Sequence, residues 1–173
     1  MHRKHAYQAE GYGRWNDLGQ RPRILIVDDD ESIRNVLAAI LREKGYAVDT
    51  AGSGNEAIEK SNAVSFNLTL MDVRLPDMEG TKLLATMRET TPRMIKIIIT
   101  GYPSLPNAVD AVNENADAYI LKPLDVEHTL EVIEDHLLRQ HENRAFDEEK
   151  VAEFIETRAR ELKPIRRHLA GKK

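Results

Sequence analysis

Ile24-Leu25-Ile26-Val27-Asp28-Asp29-Asp30 is the stretch that decides how this 173-residue chain folds. An aliphatic run stops on consecutive carboxylates, and the same design returns further along the chain. Leu68-Thr69-Leu70-Met71 ends on Asp72, Ile97-Ile98-Ile99 ends on Thr100, and Ala118-Tyr119-Ile120-Leu121 ends on Lys122-Pro123. Runs this short, rich in Ile, Val and Leu, read as strands buried on both faces of a parallel sheet. Open sheets of that kind bind ligands just outside the carboxyl ends of their strands. If the runs are neighbours, carboxylates, a hydroxyl and an ammonium converge on one cleft. Such a set suits a magnesium ion and a phosphoryl group.

Between the runs the period changes from strand to helix. Ile33, Val36, Leu37, Ile40 and Leu41 recur at the spacing of one buried helical face, and Gly45 follows as a C-terminal stop. Ala47-Val48-Asp49-Thr50 is a weaker strand. Ala57 and Ile58 mark a short helix, and Leu83, Leu84 and Met87 mark another that ends before Pro92. Ala108, Val109 and Val112 mark a fourth helix, and Leu130, Ile133 and Leu137 a fifth. Five strands alternating with five helices predict a doubly wound α/β sandwich of three layers, its crossovers right-handed.

Residues 1–22 are polar and without a sustained period, and are expected to form a flexible leader. Residues 142–173 form a different kind of segment. Asp147 reads as an N-cap with Glu148 and Glu149 in the first turn, and Phe146 with Val151 as a hydrophobic staple. An extra C-terminal helix is expected from Glu148 to about Leu162, its stripe formed by Val151, Phe154, Ile155 and Leu162. Beyond Pro164 the chain carries the basic residues Arg166, Arg167, Lys172 and Lys173. Self-association through this stripe is the preferred expectation.

Composition removes several classes of function. The absence of cysteine excludes disulfides, thiolate catalysis and cysteine-ligated metal centres. A formal net charge of -4 gives no basic field to draw this chain by itself to nucleic acid. No stretch approaches the ~18 apolar residues of a membrane span, and the N-terminus lacks the apolar core of a secretory signal. A cytoplasmic protein with no membrane partner is expected.

The strand ends supply the chemistry. Adjacent carboxylates at Asp28 and Asp29 repel each other unless a cation neutralises them, while Asp30 suffices to cap the helix that follows. Asp72 beside that cation is placed to attack phosphorus, a carboxylate being an established nucleophile. Lys122 provides a mobile positive charge for a phosphate oxygen, and Thr100 a hydroxyl donor. Pro123 is a candidate cis proline, since X-Pro bonds go cis at little cost and a cis bond could aim Lys122 inward.

Val27-Asp28-Asp29-Asp30, the stretch from Met71-Asp72 through Leu75-Pro76-Asp77 to Gly80, Ile99-Thr100-Gly101-Tyr102 and Leu121-Lys122-Pro123 together resemble the receiver domain of two-component response regulators. The resemblance spans residues 23–141 and implies a flavodoxin-like parallel sheet in strand order 2-1-3-4-5. It implies that Asp72 is the phosphoacceptor, charged by a sensor histidine kinase or a phosphotransfer protein. Asp28, Asp29 and Asp72, with the backbone carbonyl of Arg74, would hold Mg2+, or Mn2+ in its place. Thr100 and Lys122 would contact the phosphoryl group, and Tyr119 would be the switch aromatic. The output would be a changed binding surface, toward a homodimer partner or a downstream target, rather than enzymatic turnover. Arg74 and Tyr102 flank the cleft as candidate modulators of phosphoryl lifetime. The other class of reading is a scaffold or dimerisation module that keeps the fold without phosphorylation.

Two enzyme readings compete. Gly52-Ser53-Gly54-Asn55-Glu56-Ala57 satisfies a dinucleotide fingerprint after a strand, but that strand is the least apolar of the set and no substrate domain follows. A phosphatase using a strand-end Asp nucleophile wants a second Asp two residues on as general acid, and Arg74 stands there instead.

Overall fold

The structure, a computed structural model, describes residue 15, residues 21–101 and residues 116–170, with side chains described as far as residue 158. The chain divides into two units, one up to Leu137 and one from Leu138 onward.

In the first unit, β1 (Arg23–Val27), β2 (Ala47–Ala51), β3 (Leu68–Asp72), β4 (Ile95–Thr100) and β5 (Ala118–Leu121) form one sheet in the order β2-β1-β3-β4-β5. Every neighbouring pair is parallel. Helix α1 (Glu31–Glu43) joins β1 to β2, α2 (Gly54–Ala63) joins β2 to β3, and α3 (Gly80–Thr90) joins β3 to β4. This is the doubly wound, flavodoxin-like architecture expected. The fourth helix, expected around Ala108, Val109 and Val112, lies outside the described residues.

β3 and β4 are buried throughout, as parallel central strands must be. β5 at the edge departs from the expectation of full burial: Leu121 is 51% exposed, because an edge strand lacks a neighbour on one side. Within β1 the side chains alternate. Leu25 and Val27 pack into a cluster with Ala57 of α2 and Leu83, Leu84 and Met87 of α3, so Ile24 and Ile26 turn to the opposite face.

Helix ends follow from local chemistry. Asp30 caps α1, its carboxylate accepting from Ser32 N at 2.8 Å and Ile33 N at 3.2 Å. Gly45 follows α1 at φ 88°, a left-handed conformation that glycine adopts without Cβ strain. The buried face of α1 is narrower than the periodicity implied. Leu37, Ala38 and Leu41 are buried, whereas Val36 is 59% exposed.

The C-terminal element also differs from its expectation. One α4 helix runs from Val126 to Ala170, continuous through Asp147, so Asp147 is an interior residue rather than an N-cap. Residues 138–147 contain neither Gly nor Pro, so nothing local stops the helix that Ile133 and Leu137 bury in the first unit. The helical backbone passes Pro164 as well, where the missing N–H forfeits one i→i−4 hydrogen bond. No helix among the described residues is long and apolar enough to cross a membrane.

Candidate functional site

Strand register places the acidic residues together. Val27 pairs with Met71 across β1 and β3, so the next residues, Asp28 and Asp72, leave the sheet side by side on strands about 4.8 Å apart. Asp28 is held by a further backbone bond to the Ala51 carbonyl at 3.2 Å, and its Oδ1 accepts from Asp30 N at 2.9 Å. The carboxylate oxygens of Asp28, Asp29 and Asp72 lie within 4.8 Å of one another, with Asp28 and Asp72 buried and Asp29 exposed. This donor set fits a hard divalent cation, all oxygen and open to solvent on the Asp29 side for retained waters.

Lys122 completes the cluster from the far side of β4. Its backbone N donates to the Thr100 carbonyl at 2.8 Å, extending the β4–β5 ladder by one residue. From there its Nζ donates to Asp28 Oδ2 at 2.7 Å and to Asp72 Oδ2 at 2.6 Å. Burial alone would lower the Lys122 pKa, but the two carboxylates outweigh it and hold the ammonium above its ordinary value. The Lys122–Pro123 peptide is cis.

Thr100 is completely buried at the end of β4. Tyr119 lies on β5 beside Ile98 of β4 and packs against the cluster under α2 and α3. Its hydroxyl is buried with no hydrogen-bond partner among the described residues. Desolvation first, and the negative charge of Asp72 second, raise its pKa. Arg74 is exposed at the rim, its backbone N donating to Asp72 Oδ1 at 3.2 Å. Tyr102 lies outside the described residues.

Further residues shape this site: Asp77 and Gly80 of the motif after Asp72, and Arg34, which carries no signal in the sequence pattern. Arg34 Nη1 donates to the Asp28 carbonyl and so braces the first acidic turn. Gly80 N donates to the Val73 carbonyl at 2.6 Å, and a Cβ there would press on the Asp72 carbonyl and lie 2.8 Å from Val73 Cα. Only glycine lets α3 start this close to the end of β3. Asp77 receives Gly54 N and Asn55 N, both at 2.8 Å, clamping the loop after Asp72 onto the N-terminus of α2. Those donated amides hold the Asp77 carboxyl below its usual range.

The same clamp disposes of the dinucleotide reading. A pyrophosphate site needs free amides at the helix N-terminus. Here Asp77 takes those of Gly54 and Asn55, while Glu56 Oε2 takes that of Gly52 at 2.8 Å.

Residues 24–134 match the profile of the response regulator receiver domain. The transcriptional regulatory protein ZraR of Escherichia coli strain K12 is 38% identical over 118 residues, covering 68% of this chain and 27% of ZraR. The DNA-binding transcriptional regulator NtrC of Proteus hauseri is 33% identical over 125 residues, 72% of this chain and 26% of NtrC. The chain thus spans about a quarter of the length of these relatives. A CheY-like receiver domain protein from Methanospirillum hungatei JF-1 superposes with TM-score 0.70 at 44% identity, covering 72% of this chain and 99% of that one. The beryllofluoride-activated NtrC4 receiver domain dimer superposes with TM-score 0.65 at 37% identity, covering 68% and 98%. Sheet order and sequence relationship agree across the same span, and the chain belongs to the receiver domain family of two-component response regulators.

Proposed function

We propose that this receiver accepts a phosphoryl group on Asp72 from the phosphohistidine of a sensor histidine kinase or phosphotransfer protein, and that the charged form changes what the protein binds. The observation that carries the reading is the Lys122 ammonium held 2.7 Å from Asp28 and 2.6 Å from Asp72, inside a cluster of three carboxylates. An isolated structural ion pair needs one acid, and the excess of negative charge here is what a metal and a phosphoryl transfer require.

Asp28 and Asp29, with Asp72 and the Arg74 backbone carbonyl, would hold the divalent cation, Mg2+ or Mn2+. When bound, it neutralises charge on the transferring oxygens. An Asp72 carboxylate oxygen attacks phosphorus in line. The P–N bond to the donor imidazole breaks as the P–O bond forms, the electron pair returns to the ring nitrogen, and an acyl phosphate remains. Lys122 exchanges its bond to Asp72 for one to a phosphoryl oxygen. The Thr100 hydroxyl donates to a second oxygen, and Tyr119, whose hydroxyl has no hydrogen-bond partner among the described residues, follows Thr100. The protein acts here as a phosphoacceptor in signalling rather than as an enzyme with turnover, and slow loss of the phosphoryl group resets it. Arg74 at the rim, with Tyr102, restricts the approach of hydrolytic water.

An apolar groove of about 370 Å3 opens beside Lys122, walled by Ile33, Val36 and Ile40 of α1 and by Pro123, Leu124 and Val126. Exposed Val36 gives a donor protein an apolar contact next to the acceptor. Downstream, the reading allows a homodimer partner or another protein target.

Intact mass after incubation with acetyl phosphate and Mg2+ tests the assignment. One added phosphoryl group on the wild-type chain, absent with chelator and absent in Asp72→Asn, is expected. No addition to the wild type would leave the phosphorylation-independent scaffold as the better reading, and addition to Asp72→Asn would refute the acceptor.

A further inference from the structure

The second unit carries an unusual division of charge. Residues 142–156 hold six acidic side chains against two basic ones, net -4, whereas residues 157–170 hold five basic against one acidic, net +4. Both blocks lie on the unbroken α4 helix. Each block is roughly 20 Å long, well beyond a Debye length of about 8 Å, so they act as separate fields of opposite sign. A continuous helix cannot fold its halves against each other. A second copy of the chain offers each half its complement.

Through both blocks runs an apolar stripe. Val151, Phe154 and Ile155 are 57%, 66% and 60% exposed, and every residue from 142 to 158 is exposed. Phe146 is flanked by its own neighbour, with Lys150 Nζ 4.4 Å from the ring centroid. Leu162 and Ile165 continue the stripe at helical spacing in the sequence. An apolar seam whose flanking charge reverses at its midpoint is its own complement when turned end for end.

We propose that two copies of the chain pair through α4 in antiparallel orientation, centred near residue 157, with the acidic half of each helix on the basic half of the other. Val151 of one copy then lies near Leu162 of the second. Parallel pairing would set like charge against like along both halves, which is destabilising in helix pairs. The opposed helix dipoles favour the same orientation. The argument is independent of phosphoryl transfer and survives if Asp72 is never phosphorylated.

Light scattering on the full, unphosphorylated chain is expected to give twice the 19.7 kDa chain mass at low salt, falling toward the single mass as salt rises. The triple variant Glu148→Lys, Glu149→Lys, Glu153→Lys is expected to be monomeric alone, as is Arg158→Glu, Lys163→Glu, Arg166→Glu. An equimolar mixture of the two should recover the double mass, which also shows that neither variant has lost its helix. Orientation is read by thiol cross-linking, unambiguous because the chain has no cysteine of its own. Val151→Cys and Leu162→Cys should each fail to cross-link alone with a short bismaleimide, since like positions lie about 16 Å apart in this register. Mixed, they should cross-link. A wild type at single mass, a dimer indifferent to both charge variants, or self-cross-linking of Val151→Cys would overturn the proposal.

Discussion

Replacing Lys122 with Met removes the only cation that touches both Asp28 and Asp72 among the described hydrogen bonds, and the cost can be worked from the geometry. The two bonds, 2.7 and 2.6 Å, are short and charge-assisted, each worth about 1.5–3 kcal/mol, so the gross loss is about 3–6 kcal/mol. Two terms reduce it. The Lys122 side chain keeps 18% of its exposure, so solvent screens part of the attraction, and Met no longer has an ammonium to desolvate. A net destabilisation of about 2–3 kcal/mol is expected in chelator, a fall in Tm of roughly 4–12 °C for a chain of this size. Mg2+ at ten times its dissociation constant should add about 1.4 kcal/mol to the wild type through binding linkage. It should add more to Lys122→Met, where the ion meets uncompensated carboxylates. Calorimetry or urea melts of both proteins, with chelator and with a Mg2+ series, measure all four states. If Lys122→Met is as stable as wild type in chelator, or gains less from Mg2+, then the ammonium is not what balances the acidic cluster and the reasoning fails.

Gly80→Ala should destabilise by about 1–3 kcal/mol, because the new Cβ is forced against the backbone of Asp72 and Val73; a urea midpoint equal to that of wild type would show that α3 can shift without loss. Burial pushes the Tyr46 phenol from 10.0 up to about 12, so the folded state keeps a proton that the unfolded chain has released. The resulting stabilisation is present in full below pH 10 and is lost as pH rises through 12, amounting to roughly 2–3 kcal/mol. Tyrosinate absorbance should show the Tyr46 phenol titrating late and sharply with unfolding, Tyr119 also lying above an ordinary phenol, and simultaneous ionisation of all tyrosines in the folded protein would contradict this.

The strand-end residues were legible in the sequence because each is local. An aliphatic run that stops on Asp28, on Asp72, on Thr100 or on Lys122 needs only the polarity of adjacent residues to be seen, and the parallel sheet follows from how fully apolar those runs are. The cap at Asp30 and the stop at Gly45 are local in the same way. The periodicity of α1 misled at Val36, since spacing reports which residues share a face but not how wide a stripe the sheet covers. The tail misled at Asp147 for a related reason. A capping residue terminates a helix only where the preceding turn has reason to end, and the buried Ile133 and Leu137 had already started one that nothing interrupts.

What the sequence by itself determined is the alternation of strand and helix, the acidic and basic groups available at one sheet edge, and the charge blocks of the tail. Tertiary structure alone decided how those groups meet. Asp28 and Lys122 are 94 residues apart, and their contact depends on three strand registers and one ladder bond beyond them. The Asp77 clamp on Gly54 spans 23 residues, and the space at Gly80 is set by a backbone it does not adjoin in sequence. Burial periods are written along one dimension, whereas register, close approach and the sharing of one ammonium between two carboxylates exist only once separate strands have been brought side by side.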